Sequence, residues 1–307
     1  MLSKRRILRL VKENIVRGWD DPRLYTLVGI RRRGVPPGAI LSFVNELGVT
    51  TAAGNIQIKR FENSVRKYLE EHTPRLSMIL DPIPVVIENL PSNYVTEISV
   101  HFKPNNPEMG EHRVPFTSKI FIDRSDFRLQ DSPDYNRLAP NKLVGLIKVD
   151  HPIRATSYSV DESSGKVTEI RAQYETNNEK KPQAYIHWVA ESIAHQSPII
   201  AEEVRLFEPL FKSEAPLSHP QGFMADINPH SETIFKNAYL EIGFREVRKR
   251  SPWTASDAAG HDKPGSFESV RFQALRVGYF CMDRDSTDIS VILNRIVTIK
   301  EDAAKGR

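Results

Sequence analysis

Cysteine is almost missing from this chain. Cys281 stands alone, so no internal disulfide can form, and a secreted framework stapled by disulfides is excluded. A reducing compartment, the cytoplasm, is the expectation. Long apolar runs are missing too, and none approaches the roughly 20 residues that cross a bilayer. The basic opening from Met1 to Arg9 runs into a stretch with Lys12, Glu13 and Asn14, which is no apolar signal-peptide core. The phosphate-cradling G-x-x-x-x-G-K-[ST], the dinucleotide-binding G-x-G-x-x-G and the metal-binding H-E-x-x-H do not occur. The nine histidines are scattered singly, so no metal site is expected. No repeat, low-complexity tract or complete catalytic centre can be read.

What is present is an ordinary water-soluble composition: 307 residues with 27% charged, 39% hydrophobic and 8% aromatic side chains. That length implies two domains or more. The net charge is only +4, yet ten basic residues face three acidic ones between Met1 and Arg33. This local excess points to a polyanion such as nucleic acid at one end of the molecule. A solvated, salt-bridged helical face would carry the same charges.

Residues 1–73 have helical spacing with clear punctuation. A first helix is expected from about Arg5 to Arg17, with Ile7, Leu8, Leu10, Val11 and Ile15 as its stripe and Gly18 at its end. A second is expected from an Asp20 or Asp21 cap with Pro22 at its first position, ending in Arg31, Arg32, Arg33 and Gly34. A third runs from Pro36 and Pro37 to Gly48, and a fourth follows Asn55 with Ile58, Phe61, Val65, Tyr68 and Leu69 in register. After Thr73 the period drops from 3.6 to 2. Expected strands are Val85–Glu88, Thr96–Phe102, Lys119–Asp123, Leu143–Val149, Ala155–Val160, Val167–Tyr174, Tyr185–Val189, Glu202–Phe207, Phe272–Met282 and Val291–Ile299. Asp161 to Gly165 forms the turn of a hairpin, while Glu175–Lys181 and Ser251–Ser269 read as surface loops. The expected class is α+β and multidomain: a helical segment at 1–73, then two antiparallel β-barrels at 74–303 with a soft boundary near 180.

The opening Leu2, Ser3, Lys4, Arg5 is followed at fixed distance by GWDDPR (Gly18–Arg23) and RRRG (Arg31–Gly34). This combination resembles the K-M-S-K-R loop of class I aminoacyl-tRNA synthetases, in the LSKR form used by glutaminyl-tRNA synthetases. The likeness continues through RFENSVRKYLEEHTPR, VPFTSKIFIDRSDF, YNRLAPN, YIHWV, VRLFEPLFKSE, INPHSE, RFQALRVGYF and NRIV, and so covers essentially the whole chain. Eukaryotic-type glutamyl-tRNA synthetases share GWDDPR and the barrel region, whereas RRRG, INPHSE and RFQALRVGYF favour the glutamine enzymes.

The resemblance implies several expectations. Lys4, flanked by Ser3 and Arg5, would stabilise charge on the pyrophosphate leaving ATP, with Mg2+ accompanying the nucleotide in the complete enzyme. Arg75 and Gln273 would contact the middle anticodon nucleotide, with Arg276 near them, and Arg137 would read the third. Bacterial members carry arginines where this chain has Gly145 and Ile147, so the first nucleotide would need another reader, for which Lys142 or Lys148 is available. The family's Rossmann half carries a His-x-Gly-His sequence that occurs nowhere here, and the expectation is a chain without that half. Such a chain would hold no ATP by itself. It would bind tRNA(Gln) weakly and salt-sensitively in the cytoplasm, without a membrane and without aminoacylating alone. A multi-synthetase assembly is a further implied partner. A free-standing tRNA-binding module and a docking module of a larger assembly are the non-enzyme alternatives.

Overall fold

The computed structural model describes residues 3–48, 56–177, 181–253 and 266–299. Four helices open it: α1 (Lys4–Lys12), α2 (Leu27–Arg33), α3 (Pro37–Leu47) and α4 (Ile58–His72). Helix α1 stops short of Arg17 because Asn14 takes a left-handed φ of 55° and the Ile15 amide folds back onto the Leu10 carbonyl. The second helix starts not at Asp20 or Asp21 but at Leu27, where the Thr26 hydroxyl accepts the Gly29 amide. Asp21 is committed elsewhere: its carboxylate accepts the Arg17 and Arg23 amides and the Arg23 guanidinium, which pins a turn. Helix α3 begins and ends where Pro37 and Gly48 mark it. Val35, Ala39, Val65 and Leu69 pack on Tyr279, Cys281, Ile296 and Val297, so the helical segment sits directly on a β-sheet.

Sixteen strands and one further helix follow among the described residues: β1 (Arg75–Leu76), β2 (Met78–Ile79), β3 (Pro82–Ile87), β4 (Val95–His101), β5 (Glu111–Thr117), β6 (Lys119–Asp123), β7 (Leu143–Leu146), β8 (Ile153–Val160), β9 (Val167–Tyr174), β10 (Tyr185–Ile186), β11 (Val189–Ala190), β12 (Ile199–Phe207), β13 (Glu232–Leu240), α5 (Phe244–Arg250), β14 (Arg271–Ala274), β15 (Gly278–Met282) and β16 (Val291–Thr298). One seven-stranded sheet has the order β1-β14-β15-β16-β12-β13-β2, the other β10-β7-β8-β9-β3-β6-β11, and β4 pairs with β5 as a ribbon. The edges of the first sheet, β1 and β2, are separated by Ser77 alone. Those of the second, β10 and β11, are separated by His187 and Trp188. Chain continuity therefore brings the two edges of each sheet together, and both sheets must curl.

The curled sheets match the barrel expectation, but the pairing is mixed, not antiparallel. β1 with β14, β12 with β16, β3 with β9 and β7 with β10 run parallel. Alternation has the same period in either direction, so sequence pattern could not distinguish them. The expected single strand Phe272–Met282 is a hairpin, turned at Arg276 with φ 65°. Strand β5 escaped notice because Pro115 interrupts it, and β13 because Lys236 and Asn237 (φ 56°) break its alternation. Ile83, Val85, Ile120, Val144, Ile170 and Trp188 fill the second sheet, and Met78, Val204, Phe272, Phe280 and Leu293 the first. The two cores are distinct, and polar side chains meet between them. Leu2 and Asn55, residues 178–180 of one expected loop and residues 254–265 of the other lie outside the described residues.

Candidate nucleic-acid interface

The basic excess at the start of the chain divides into two kinds of side chain. Arg9, Arg17, Arg23, Arg31, Arg32 and Arg33 all pair with carboxylates. Arg32 is the most committed: buried, it meets Asp20 at 2.8 Å, Asp283 at 3.1 Å and Asp285 at 2.5 Å, and fastens α2 to the first sheet. The Arg32 pairs hold Asp283 below the usual carboxylate range despite its burial. Lys4, Arg5, Arg6 and Lys12 have no carboxylate partner among the described residues. Within residues 3–33 the positive charge without a carboxylate partner is thus concentrated on α1.

Ser3 is the N-cap of α1 in extended conformation, and Lys4 and Arg5 are exposed in a first turn that carries no acidic residue. Cations beside free helix amides suit a phosphate, so this donor set fits ATP. No group of three metal-ligating side chains occurs among the described residues, so they supply no ready-made cage for Mg2+.

The candidate readers on the sheets fall into two groups. Arg75 and Gln273 are direct partners across the parallel β1–β14 pair, and Arg75 Nε donates to Gln273 Oε1 at 2.9 Å. The remaining Arg75 donors and the Gln273 amide have no hydrogen bond to another described side chain. Lys103 is close by, its pKa lowered by burial and then by Arg75. Arg276, in the β14–β15 turn, makes a bidentate pair with Asp126 of the second sheet, 2.7 Å to each oxygen. Arg137 approaches the same Asp126 at 3.2 Å. Asp126 belongs to a 3-10 turn after β6 and is almost completely buried.

Two residues that the motifs did not single out complete this second group. His187, in the short link that closes the second sheet, receives Arg276 Nη1 at Nδ1 over 3.2 Å. Arginine offers no acceptor, so Nδ1 carries no proton. Burial pushes the imidazole down to about 4 against the pull of Asp126, so His187 is neutral at pH 7. Tyr135 lies under Arg128, whose guanidinium is 4.4 Å from the ring centroid, and burial raises its phenol to about 12. The Tyr135 hydroxyl is buried without a hydrogen-bond partner among the described residues, and His187 Nε2 is buried too, with the Met78 backbone acting on the ring. The strings RSDF, YNRL and YIHWV contain Asp126, Tyr135 and His187, but nothing in a linear reading says that they meet.

The first-nucleotide candidates are placed less favourably. A side chain at Gly145 would overlap the Tyr185 ring, which faces it across the β7–β10 pair. Lys142 is held by Asp131 and by the Tyr135 carbonyl. Lys148 is exposed at a left-handed φ of 66°.

The chain is similar to known proteins over three successive stretches. Residues 73–175 match a family model described as tRNA synthetases class I (E and Q), anti-codon binding domain, and residues 185–253 match a second model of that description. Residues 1–71 match the catalytic domain of the same class. The chain belongs to the class I tRNA synthetases of the E and Q group. It is similar to a glutamine–tRNA ligase of Hypocrea virens at 51% identity over 99% of this chain and 46% of that protein. It is similar to glutamine–tRNA ligases of Saccharomyces cerevisiae at 50% (99% of this chain, 39% of that one) and Arabidopsis thaliana at 39% (100% and 36%). Within the group its family is that of the glutamine–tRNA ligases. The chain spans less than half the length of these curated relatives.

Proposed function

We propose that the chain is the tRNA-gripping part of a glutamine–tRNA ligase, which holds the anticodon of tRNA(Gln) at the seam between its curled sheets. Residues 74–303 are read as the anticodon region and residues 1–73 as the ATP-loop and connecting segment. The observation that supports this most is the pairing of Arg75 with Gln273: two side chains 198 residues apart share one register and keep donors free for a base edge. Arg276, from the β14–β15 turn of the same sheet, and Arg137, from a loop of the other, meet at Asp126, as readers of adjacent nucleotides would.

In the complete ligase, ATP with Mg2+ would supply the activated phosphate for glutaminyl-adenylate. Ser3, Lys4 and Arg5 would hold that phosphate end, with Lys4 nearest the departing pyrophosphate. The sequence lacks the partner signature His-x-Gly-His, so we infer that these 307 residues bind tRNA without charging it. The Arabidopsis relative is named as cytoplasmic, and we assign this chain the same compartment. Family likeness alone supports a multi-synthetase assembly.

Fluorescence anisotropy with the purified chain and a tRNA(Gln) transcript tests the reading. Gln273→Ala should weaken binding by about tenfold, the cost of one lost base-edge contact. Equal affinity of the unaltered chain for tRNA(Gln) and a transcript with an unrelated anticodon would overturn the assignment. Glutamine-dependent ATP–pyrophosphate exchange by the chain alone would overturn the inference that it does not charge.

A further inference from the structure

Resting on the anticodon reading above, we propose that Asp126 is a positioning residue: one buried carboxylate that holds Arg276 and Arg137 together and so makes recognition of the middle and third anticodon nucleotides a single unit. The geometry that supports this is uneven. Arg276 comes from the turn of the first sheet and takes both Asp126 oxygens at 2.7 Å, while Arg137 comes from the second sheet's own loop and shares one of them at 3.2 Å. The carboxylate is 1% exposed, whereas the two guanidinium side chains are 22% and 31% exposed. The anion is therefore hidden, and the cations it holds reach the surface.

Charge strengthens the argument. Arg128, Arg137 and Arg276 all act on the buried Tyr135, along with Asp126. Neutral His187 offers Arg276 an acceptor at Nδ1 but no charge. Asp126 is thus the anion that both arginines contact, and among the described residues no second carboxylate is within ion-pair distance of either. Replacing it by an amide would leave two guanidinium groups repelling each other across an uncharged side chain, with the Ser125 carbonyl holding Arg137 at 3.0 Å and His187 Nδ1 holding Arg276 at 3.2 Å but no charge between them. The Arg276 backbone is fixed in the turn at φ 65°, and both of its guanidinium Nη atoms end on Asp126. Tyr135 and His187 pack in the same buried cluster beneath the two guanidinium groups.

The test uses the full chain and tRNA(Gln) transcripts changed singly at each anticodon position. The unaltered chain should lose about tenfold or more in affinity for a wrong middle or third base. Asp126→Asn should reduce both penalties to within about threefold of unity, leaving the salt dependence of binding and the first-base penalty where they were. A purely structural role would weaken all transcripts equally. If Asp126→Asn fails to fold by near-ultraviolet circular dichroism, Asp126→Glu replaces it, keeping the charge but displacing it by one methylene, with the same parallel loss expected. A folded variant that loses neither penalty, or only one, overturns the proposal and leaves the anticodon reading intact. An unaltered chain indifferent to middle and third bases overturns that reading, and this proposal with it.

Discussion

His187 shows how one side chain can tie stability to pH. Its imidazole titrates near 4 in the folded chain because burial disfavours the cation, and near 6.5 once unfolded. Between those values the unfolded chain takes up a proton that the folded chain refuses. The stabilising effect is complete above about pH 6.5 and is lost as the pH falls towards 4, on the order of 3 kcal/mol in all. Urea unfolding at pH 7 and pH 4.5 should show this loss, and His187→Gln should flatten it. An unchanged slope in the variant would mean that His187 is not the group responsible. Arg32 makes the complementary point. Its three carboxylates were invisible in the run Arg31–Arg33, which read equally well as a phosphate-binding patch. Basic residues in a row have the same sequence signature whether they face solvent or carboxylates brought from 250 residues away.

At the scale of elements, punctuation was the most legible signal. Pro37, Gly34 and Gly48 stand where the sequence places helix boundaries, because the chain conformations they favour are local properties. Gly34 carries a second constraint that no local rule contains. It adopts φ 104°, and a methyl group there would overlap the Cβ and Sγ of Cys281 on β15. Gly34→Ala should therefore destabilise the chain by about 2 kcal/mol or more, through backbone strain and overpacking at the joint between helices and sheet. Thermal or denaturant unfolding measures this directly, and a cost below 0.5 kcal/mol, about the loss expected at an open surface site, would show that the joint relaxes. The start of α2 was misplaced for the converse reason. Asp21 has the composition of a cap, but Arg17 and Arg23 claim its carboxylate.

On the scale of the whole molecule, the pairing of six of the ten N-terminal basic residues makes a prediction about salt. Only unpaired cations release counterions in full when phosphate arrives. Replacing Lys4, Arg5 and Arg6 by alanine should lower the slope of log affinity against log salt by about 2 to 3 for a tRNA transcript. Arg33→Ala, which removes a partner of Glu62, should leave it unchanged. Equal effects of the two variants would mean that the ion pairs open when RNA binds.

Helix ends, two-residue alternation, the lone thiol and the family motifs are properties of neighbouring residues, and the sequence by itself determined them. The class of the chain and the candidate readers Arg75, Arg137, Gln273 and Arg276 followed from those strings. The mixed strand directions, the closure of each sheet at Ser77 or at His187 and Trp188, and the meeting of Arg276 with Asp126 were decided only in the tertiary structure. Alternation records which face of a strand is buried, not which strand lies beside it. An ion pair between two curled sheets depends on how those sheets come together, which no local stretch of sequence encodes.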